Sequence, residues 1–182
     1  MQPLMYSDAD ARNGKGWQRV GKDICYYQNS LKKKFAGHYY TLTFSVKFDH
    51  DNDTVYFAHS YPYTYTDLQR YLSNLENDSL AKNRFRRKML CQTNAGNQID
   101  VLTITTFSDP EQALKQKKGI ILSARVHPGE TGASYMMKGV IDYLVGQSAE
   151  ARILRDNFIF KIIPMVNPDG VILGNTRCAL IG

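Results

Sequence analysis

Gly119-Ile120-Ile121-Leu122-Ser123-Ala124-Arg125-Val126-His127-Pro128-Gly129-Glu130 is an apolar run broken by a Pro-Gly turn, and its reading decides the fold. A short apolar stretch closed by turn residues suits a buried central strand, here Gly119 to Val126. Directly after it, Ala133, Met136, Met137, Val140, Ile141, Leu144 and Val145 keep helical spacing. That stripe predicts an amphipathic helix whose methionines belong to the core. Ala149 to Asn157 reads as a further helix. Phe158 to Pro164 reads as another buried strand, ending in the turn Asn167-Pro168-Asp169-Gly170.

Upstream, Met89 to Thr93 and Ile99 to Thr106 flank Asn94-Ala95-Gly96-Asn97, whose Asn and Gly tolerate the left-handed conformations of a tight turn. This pair is expected to form a hairpin, and Asp109 to Lys118 a charged loop. Thr66 with Gln69 fits a capping box, and Leu68, Tyr71, Leu72 and Leu75 follow at helical spacing, so a helix is expected from Thr66 or Asp67. Helix, hairpin, strand, helix, strand implies an α/β chain with a mixed sheet.

Before Tyr61 the period changes to two. Tyr40, Leu42, Phe44, Val46 and Phe48 alternate with Thr41, Thr43, Ser45 and Lys47, which predicts a half-buried strand from Tyr39 to Phe48. The polar turn Asp49 to Asp53 and the β-favouring Thr54 to Ala58 suggest that these two segments pair as a hairpin. Trp17 to Tyr27 is a weaker strand candidate. Three or so antiparallel strands do not close a sandwich alone, so this region is expected to be part of a larger one.

The 182 residues suffice for one full-sized domain or two small ones, and the apolar fraction of 43% is ordinary for a packed protein. No basic region followed by an apolar run opens the chain, and no stretch nears the ~20 apolar residues that cross a bilayer, so neither secretion nor a membrane partner is expected. Cys25, Cys91 and Cys178 are odd in number and far apart, which argues against a disulfide framework or a zinc ribbon and fits a reducing cytosol. The net charge of +6 concentrates at Lys32-Lys33-Lys34 and at Lys82, Arg84, Arg86, Arg87 and Lys88. Such clusters can attract nucleic acid or an acidic peptide, or can be no more than a solvated face.

His127 and Glu130 stand where the chain leaves a strand, the place where sites gather in open α/β sheets. Imidazole and carboxylate are both zinc donors, and a Pro-Gly turn can swing the two toward one ion. Spacing alone does not decide it, because a solvated His followed by a Glu that opens a helix has the same pattern.

The surrounding blocks carry more. Ser123-Ala124-Arg125-Val126-His127-Pro128-Gly129-Glu130-Thr131, the strand to Pro164, Asn167-Pro168-Asp169-Gly170-Val171 and Gly174-Asn175-Thr176-Arg177 together resemble the M14 metallocarboxypeptidases. They are most similar to the cytosolic carboxypeptidase subfamily, whose members trim glutamates from tubulin. Tyr61 to Leu72 looks like the start of that family's catalytic domain. Ala11 to Trp17 and Asp49 to Ala58 look like the β-sandwich preceding it. The resemblance implies that residues 1–60 are the C-terminal part of a β-sandwich N-domain and 61–182 the N-terminal part of a mixed-sheet catalytic domain.

Carried over by position, the resemblance makes His127 and Glu130 ligands of Zn2+ and Arg177 the catalytic arginine that stabilises the oxyanion, with a surface ion pair as the alternative role for Arg177. Asn167, Asp169 and Gly170 are read as turn formers outside the site. The family also requires a second His ligand and a glutamate base downstream, yet no His follows His127, and His38, His50 and His59 match no ligand position. The family's Asn-Arg pair for the substrate carboxylate is expected just past Leu180-Ile181-Gly182. The chain alone is therefore expected to be inactive, a fragment of an active parent. The implied partners are acidic protein C-termini or polyglutamate chains such as those of tubulin, not nucleic acid, and the implied location is the cytoplasm, at microtubules or cilia. An aspartoacylase-like amidohydrolase shares the zinc pair but not the β-rich region. A non-catalytic module that binds tubulin or another acidic protein, with a vestigial zinc pair, is the competing reading from another class.

Overall fold

The computed structural model describes residues 2–177; Cys178 and the Leu180-Ile181-Gly182 end lie outside them. The chain divides into one unit from Met1 to Pro62 and a second from Tyr63 to Gly182.

The first unit contains β1 (Leu4–Ser7), α1 (Asp8–Arg12), β2 (Gln18–Arg19), β3 (Lys22–Lys32), β4 (His38–Ser45) and β5 (Val55–Ala58). The expected hairpin between Tyr39–Phe48 and Thr54–Ala58 does not form. β4 pairs antiparallel with β3, and β5 pairs antiparallel with β1, giving a two-stranded sheet and a three-stranded sheet in the order β2-β1-β5. The connection is kept busy elsewhere: Asp53 accepts from the Ser7 hydroxyl at 2.5 Å and from Ala9 N at 2.9 Å, so its carboxylate caps α1. Phe57 still meets Phe44 at 5.6 Å and Phe48 at 6.4 Å between ring centroids, so the alternating aromatics pack without sharing a ladder.

The second unit is built of α2 (Tyr65–Asn77), β6 (Phe85–Gln92), β7 (Gln98–Ile104), α3 (Glu111–Gln116), β8 (Lys118–Ser123), α4 (Thr131–Val145), α5 (Ala149–Asn157), β9 (Phe158–Ile163) and α6 (Pro168–Leu173). Its sheet runs β6-β7-β9-β8, antiparallel except for the parallel β8–β9 pair. Three expectations are corrected here. The capping box of α2 is Thr64 with Asp67, not Thr66 with Gln69, and Gln69 instead donates to Asp100 at 2.9 Å. The charged loop contains the helix α3. β8 is an edge strand among the described residues, with Ile121 75% exposed, rather than a buried central one.

Leu68, Leu72 and Leu75 of α2, Met137, Ile141 and Leu144 of α4, and Leu102, Ile104, Phe160 and Ile162 of the sheet form the core. Two residues of the α4 stripe, Met136 at 76% and Val140 at 38% exposure, face outward, so only Met137 of the methionine pair is core. The period-two burial of β7 also turns Asp100 inward beside Leu102 and Ile104. Its buried carboxylate takes a bidentate grip from Arg87, at 2.9 and 3.0 Å. That pairing bears on the second basic cluster, which forms strand β6 and the turn before it and is not simply a solvated face. Arg87 is neutralised by Asp100 and Glu76, Arg84 holds the carbonyls of Val145 and Gly146 at 2.8 and 3.2 Å, and Arg86 lies 4.3 Å over the Phe107 ring.

Burial opposes the Asp100 charge, but the hydrogen bonds from Arg87, Gln69 and Gln98 more than offset it and hold the carboxyl below its ordinary value. A depressed folded-state value contributes stability that is complete above the unfolded value of about 4 and is lost as pH falls through the folded value. Asp100→Asn should therefore cost ~3 kcal/mol at pH 7, because Arg87 is left half-buried beside a neutral amide, and should flatten the acid limb of the urea midpoint plotted against pH. An acid limb as steep as the parent's would count against this assignment.

Candidate metal centre

The strands β8 and β9 end together, but their pairing continues past them. Ala124 N donates to Ile163 O at 3.0 Å, Val166 N to Ala124 O at 3.0 Å and Asn167 N to Arg125 O at 3.3 Å. The chain then turns sharply, with Arg125 at φ +54°, and delivers His127 to Glu130 to the start of α4. Left-handed backbone in a non-glycine residue is strained and clusters at functional sites, where surrounding structure holds it.

Glu130 occupies the N-cap position of α4, yet its side chain makes no capping hydrogen bond. A Glu present merely to open the helix would be expected to use its carboxylate on the helix end. Instead Glu130 Oε1 lies 3.0 Å from His127 Nδ1. Both side chains remain accessible, at 35% and 64% of their surface. Two donors each about 2.0–2.1 Å from a tetrahedral ion stand roughly 3.3 Å apart, so this neutral-capable imidazole and this carboxylate fit zinc in type and in separation. No group of three or more His, Cys, Asp or Glu side chains able to hold a metal occurs among the described residues.

Arg177 enters from the other side, its Nη2 3.4 Å from His127 Nε2. Gly129 explains how that segment comes so close. Its N–H donates to Thr176 O at 2.9 Å, and a Cβ there would meet the same oxygen at 3.1 Å. The three residues assigned from sequence thus converge on one imidazole. His38, His50 and His59 all belong to the first unit, and His50 pairs with Asp10 at 3.2 Å.

Asn167, Asp169 and Gly170 form a helix start rather than a turn. Asn167 is the N-cap of α6, accepting from Gly170 N at 3.0 Å, with Pro168 in the first turn. Its amide also donates to Val126 O at 3.3 Å, which ties α6 to the His127 segment. Asp169 is buried and accepts from Thr93 Oγ1 at 2.6 Å and Asn97 Nδ2 at 2.7 Å, so α6 is pinned to the turn between β6 and β7. Those two hydrogen bonds hold its carboxyl below the ordinary value.

Two residues escaped the sequence reading. Arg125 is 3% exposed, and its guanidinium donates to Pro128 O at 2.8 Å, Tyr63 O at 3.2 Å and Ser134 Oγ at 2.8 Å. Burial pulls its pKa below the usual guanidinium value. Tyr63 is buried edge-on to Tyr135 at 5.2 Å, and burial, then the charge of Asp67, pushes its phenol up to about 12. A charged residue inside an otherwise apolar run was the available signal for Arg125, and nothing local marked Tyr63.

Comparison with known proteins identifies the family. A model of the zinc carboxypeptidase family, peptidase M14, matches residues 68–181. Cytosolic carboxypeptidase 3 of Mus musculus is 50% identical over 183 residues, spanning 100% of this chain and 18% of the mouse protein. Cytosolic carboxypeptidase 2 of Homo sapiens is 47% identical, spanning 100% of this chain and 20% of the human protein. The chain thus covers about a fifth of the length of these relatives. Among solved structures, a metallo-carboxypeptidase from Burkholderia cenocepacia superposes with a TM-score of 0.70 at 26% identity, over 97% of this chain and 40% of that one. A Pseudomonas aeruginosa metallo-carboxypeptidase shares the fold with a TM-score of 0.65 at 20% identity, over 97% of this chain and 39% of that one.

The supporting contacts generate a packing prediction. A Cβ on Gly170 would sit 2.3 Å from Pro128 Cγ. Gly170→Ala should cost ~1–3 kcal/mol by overpacking and shift the His127 imidazole resonances in NMR spectra. Unmoved imidazole signals in a folded variant would show that α6 does not support the His127 turn.

Proposed function

The chain belongs to the zinc carboxypeptidase family, peptidase M14, and from that premise we propose that His127 and Glu130 hold Zn2+ in an enzyme that removes C-terminal or side-chain glutamates from acidic proteins such as tubulin. The observation that carries this reading is the convergence of His127 Nδ1 and Glu130 Oε1 to 3.0 Å, with Arg177 beside the same imidazole. Zinc, when bound, supplies Lewis acidity and makes a water more acidic. For that role His127 would offer Nδ1 and Glu130 would offer Oε1, the two atoms that already face each other, the carboxylate being free of helix capping. Arg177 carries a fixed positive charge to the site, and in this reading it stabilises the negative charge that develops on the scissile carbonyl oxygen.

Glutamate-rich partners are supported by the charge of +6 and by Lys32-Lys33-Lys34, which extends from the end of β3 into the turn before β4 and is exposed together with Phe35. The second basic cluster contributes less, its Arg84, Arg86 and Arg87 being engaged internally. In the same reading the first unit is part of a β-sandwich, and the protein works in the cytosol at microtubules or cilia. No helix among the described residues is long and apolar enough to cross a membrane.

The test is made on this chain and on a polypeptide continued to the length of its relatives. In the longer protein, His127→Ala should abolish stoichiometric zinc and glutamate release, while Arg177→Ala should retain zinc and lose roughly 10²–10³-fold in kcat. The present chain should bind zinc weakly and release no glutamate, since among the described residues no third His, Cys, Asp or Glu joins His127 and Glu130 to complete a zinc site. If the longer protein carries no zinc, or keeps it in His127→Ala, the reading fails. Binding to tubulin that survives removal of its acidic tails would argue against the proposed substrate class.

A further inference from the structure

Arg125 stands at the hinge of the metal turn with properties that an ordinary core residue does not need. Its backbone is left-handed at φ +54°, its residue is 3% exposed, and among the described residues no carboxylate forms an ion pair with it. A buried cation without a counter-ion is costly and persists only where dense hydrogen bonding satisfies it. The bonds it makes are specific in direction. Nε reaches forward to Pro128 O at 2.8 Å, within the turn that carries both metal donors. Nη1 reaches back to Tyr63 O at 3.2 Å, ahead of α2, and to Ser134 Oγ at 2.8 Å, on the first turn of α4.

We propose that Arg125 is a positioning residue for the His127–Glu130 pair, a fork that locks the carbonyl of the metal turn to two rigid elements so that the imidazole and the carboxylate converge before any metal arrives. This rests on the zinc reading of that pair. The Pro128 carbonyl turned inward by Nε leaves Gly129 N facing Thr176 O, at 2.9 Å. One buried group therefore sets the backbone on the inner side of the turn while both donor side chains face out. Lysine is a poor substitute: a planar guanidinium presents adjacent donors in fixed directions, whereas an ammonium is a single point. Partners that orient metal ligands without touching the metal typically govern affinity by 10- to 100-fold.

The test measures zinc affinity of the polypeptide continued to the length of its relatives by calorimetric titration and the His127 imidazole nitrogen shifts by NMR, in Arg125→Lys, Ser134→Ala, Ser134→Thr and His127→Ala, all well below the urea midpoint. Arg125→Lys should weaken zinc binding roughly 10- to 100-fold and broaden or displace the imidazole signals before zinc is added. Ser134→Ala should weaken binding by a few fold, and Ser134→Thr, which keeps the hydroxyl, should restore it. A folded Arg125→Lys with parental affinity overturns the proposal. Should that variant not fold, parental affinity in Ser134→Ala overturns it, and loss in Ser134→Ala with recovery in Ser134→Thr supports it. If the parent and His127→Ala bind zinc equally, the zinc reading itself falls. That result differs from one in which His127 matters and Arg125 does not.

Discussion

The parallel hydrogen bonding between β8 and β9 runs past the ends of both strands, and the site depends on that extension. Through Ala124–Ile163, Val166–Ala124 and Asn167–Arg125 the two chains stay paired until Arg125 turns left-handed. A parallel pair fixes register along its whole length, so every residue that follows on either chain inherits its position. His127 and the N-cap of α6 are then neighbours because the ladder ends between them. The side chain of Asn167 uses that proximity at once, closing its own helix and holding Val126 O.

What surrounds the turn converts this proximity into a fixed shape. Pro128 packs where Gly170 leaves no room for a Cβ, and Gly129 lies flat against Thr176. Asp169 anchors α6 from below through Thr93 and Asn97. Each contact removes a freedom that the turn from Val126 to Glu130 would otherwise keep, and so orders the His127 and Glu130 side chains in advance. The same logic explains why the Asn-Pro-Asp-Gly block is a helix start: its polar side chains are committed to partners far away in sequence, which turn statistics do not see.

Elements with a strong local period were legible in the sequence: α4, α5, β9 and the β6–β7 hairpin fall close to where spacing puts them. The misreadings share one cause, which is that partner choice is not local. Thr54 to Ala58 is a strand, but it pairs with Leu4–Ser7, a segment whose four residues carry no readable period. Gly119 to Val126 has the composition of a central strand and lies at an edge, because apolar content records how much a strand can bury and not how many neighbours it has. The capping box shifted two residues, to Thr64 and Asp67, because Tyr65 donates to Gln98 O and Gln69 is taken by Asp100 and Arg87. At the site, a resemblance singled out His127, Glu130 and Arg177, and the fold brings these three side chains together. The buried fork behind them was not legible, since Arg125 reads as one polar residue in an apolar run.

The charges of this chain sort by the same criterion of whether they have a partner. In the second basic cluster, Arg84 lies on helix-end carbonyls, Arg86 on an aromatic face and Arg87 in a carboxylate grip. A guanidinium that has exchanged water for fixed acceptors is held in place by them and has little left to offer a diffusing partner. Among the described residues no such acceptors fix Lys32, Lys33 and Lys34; two of them merely lie near rings, at 5.8 Å for Lys33 over Tyr39 and 5.6 Å for Lys34 over Phe35. Net charge alone would weight the two clusters equally. Their surroundings tie the arginines of one to the fold and leave the other as an exposed positive surface.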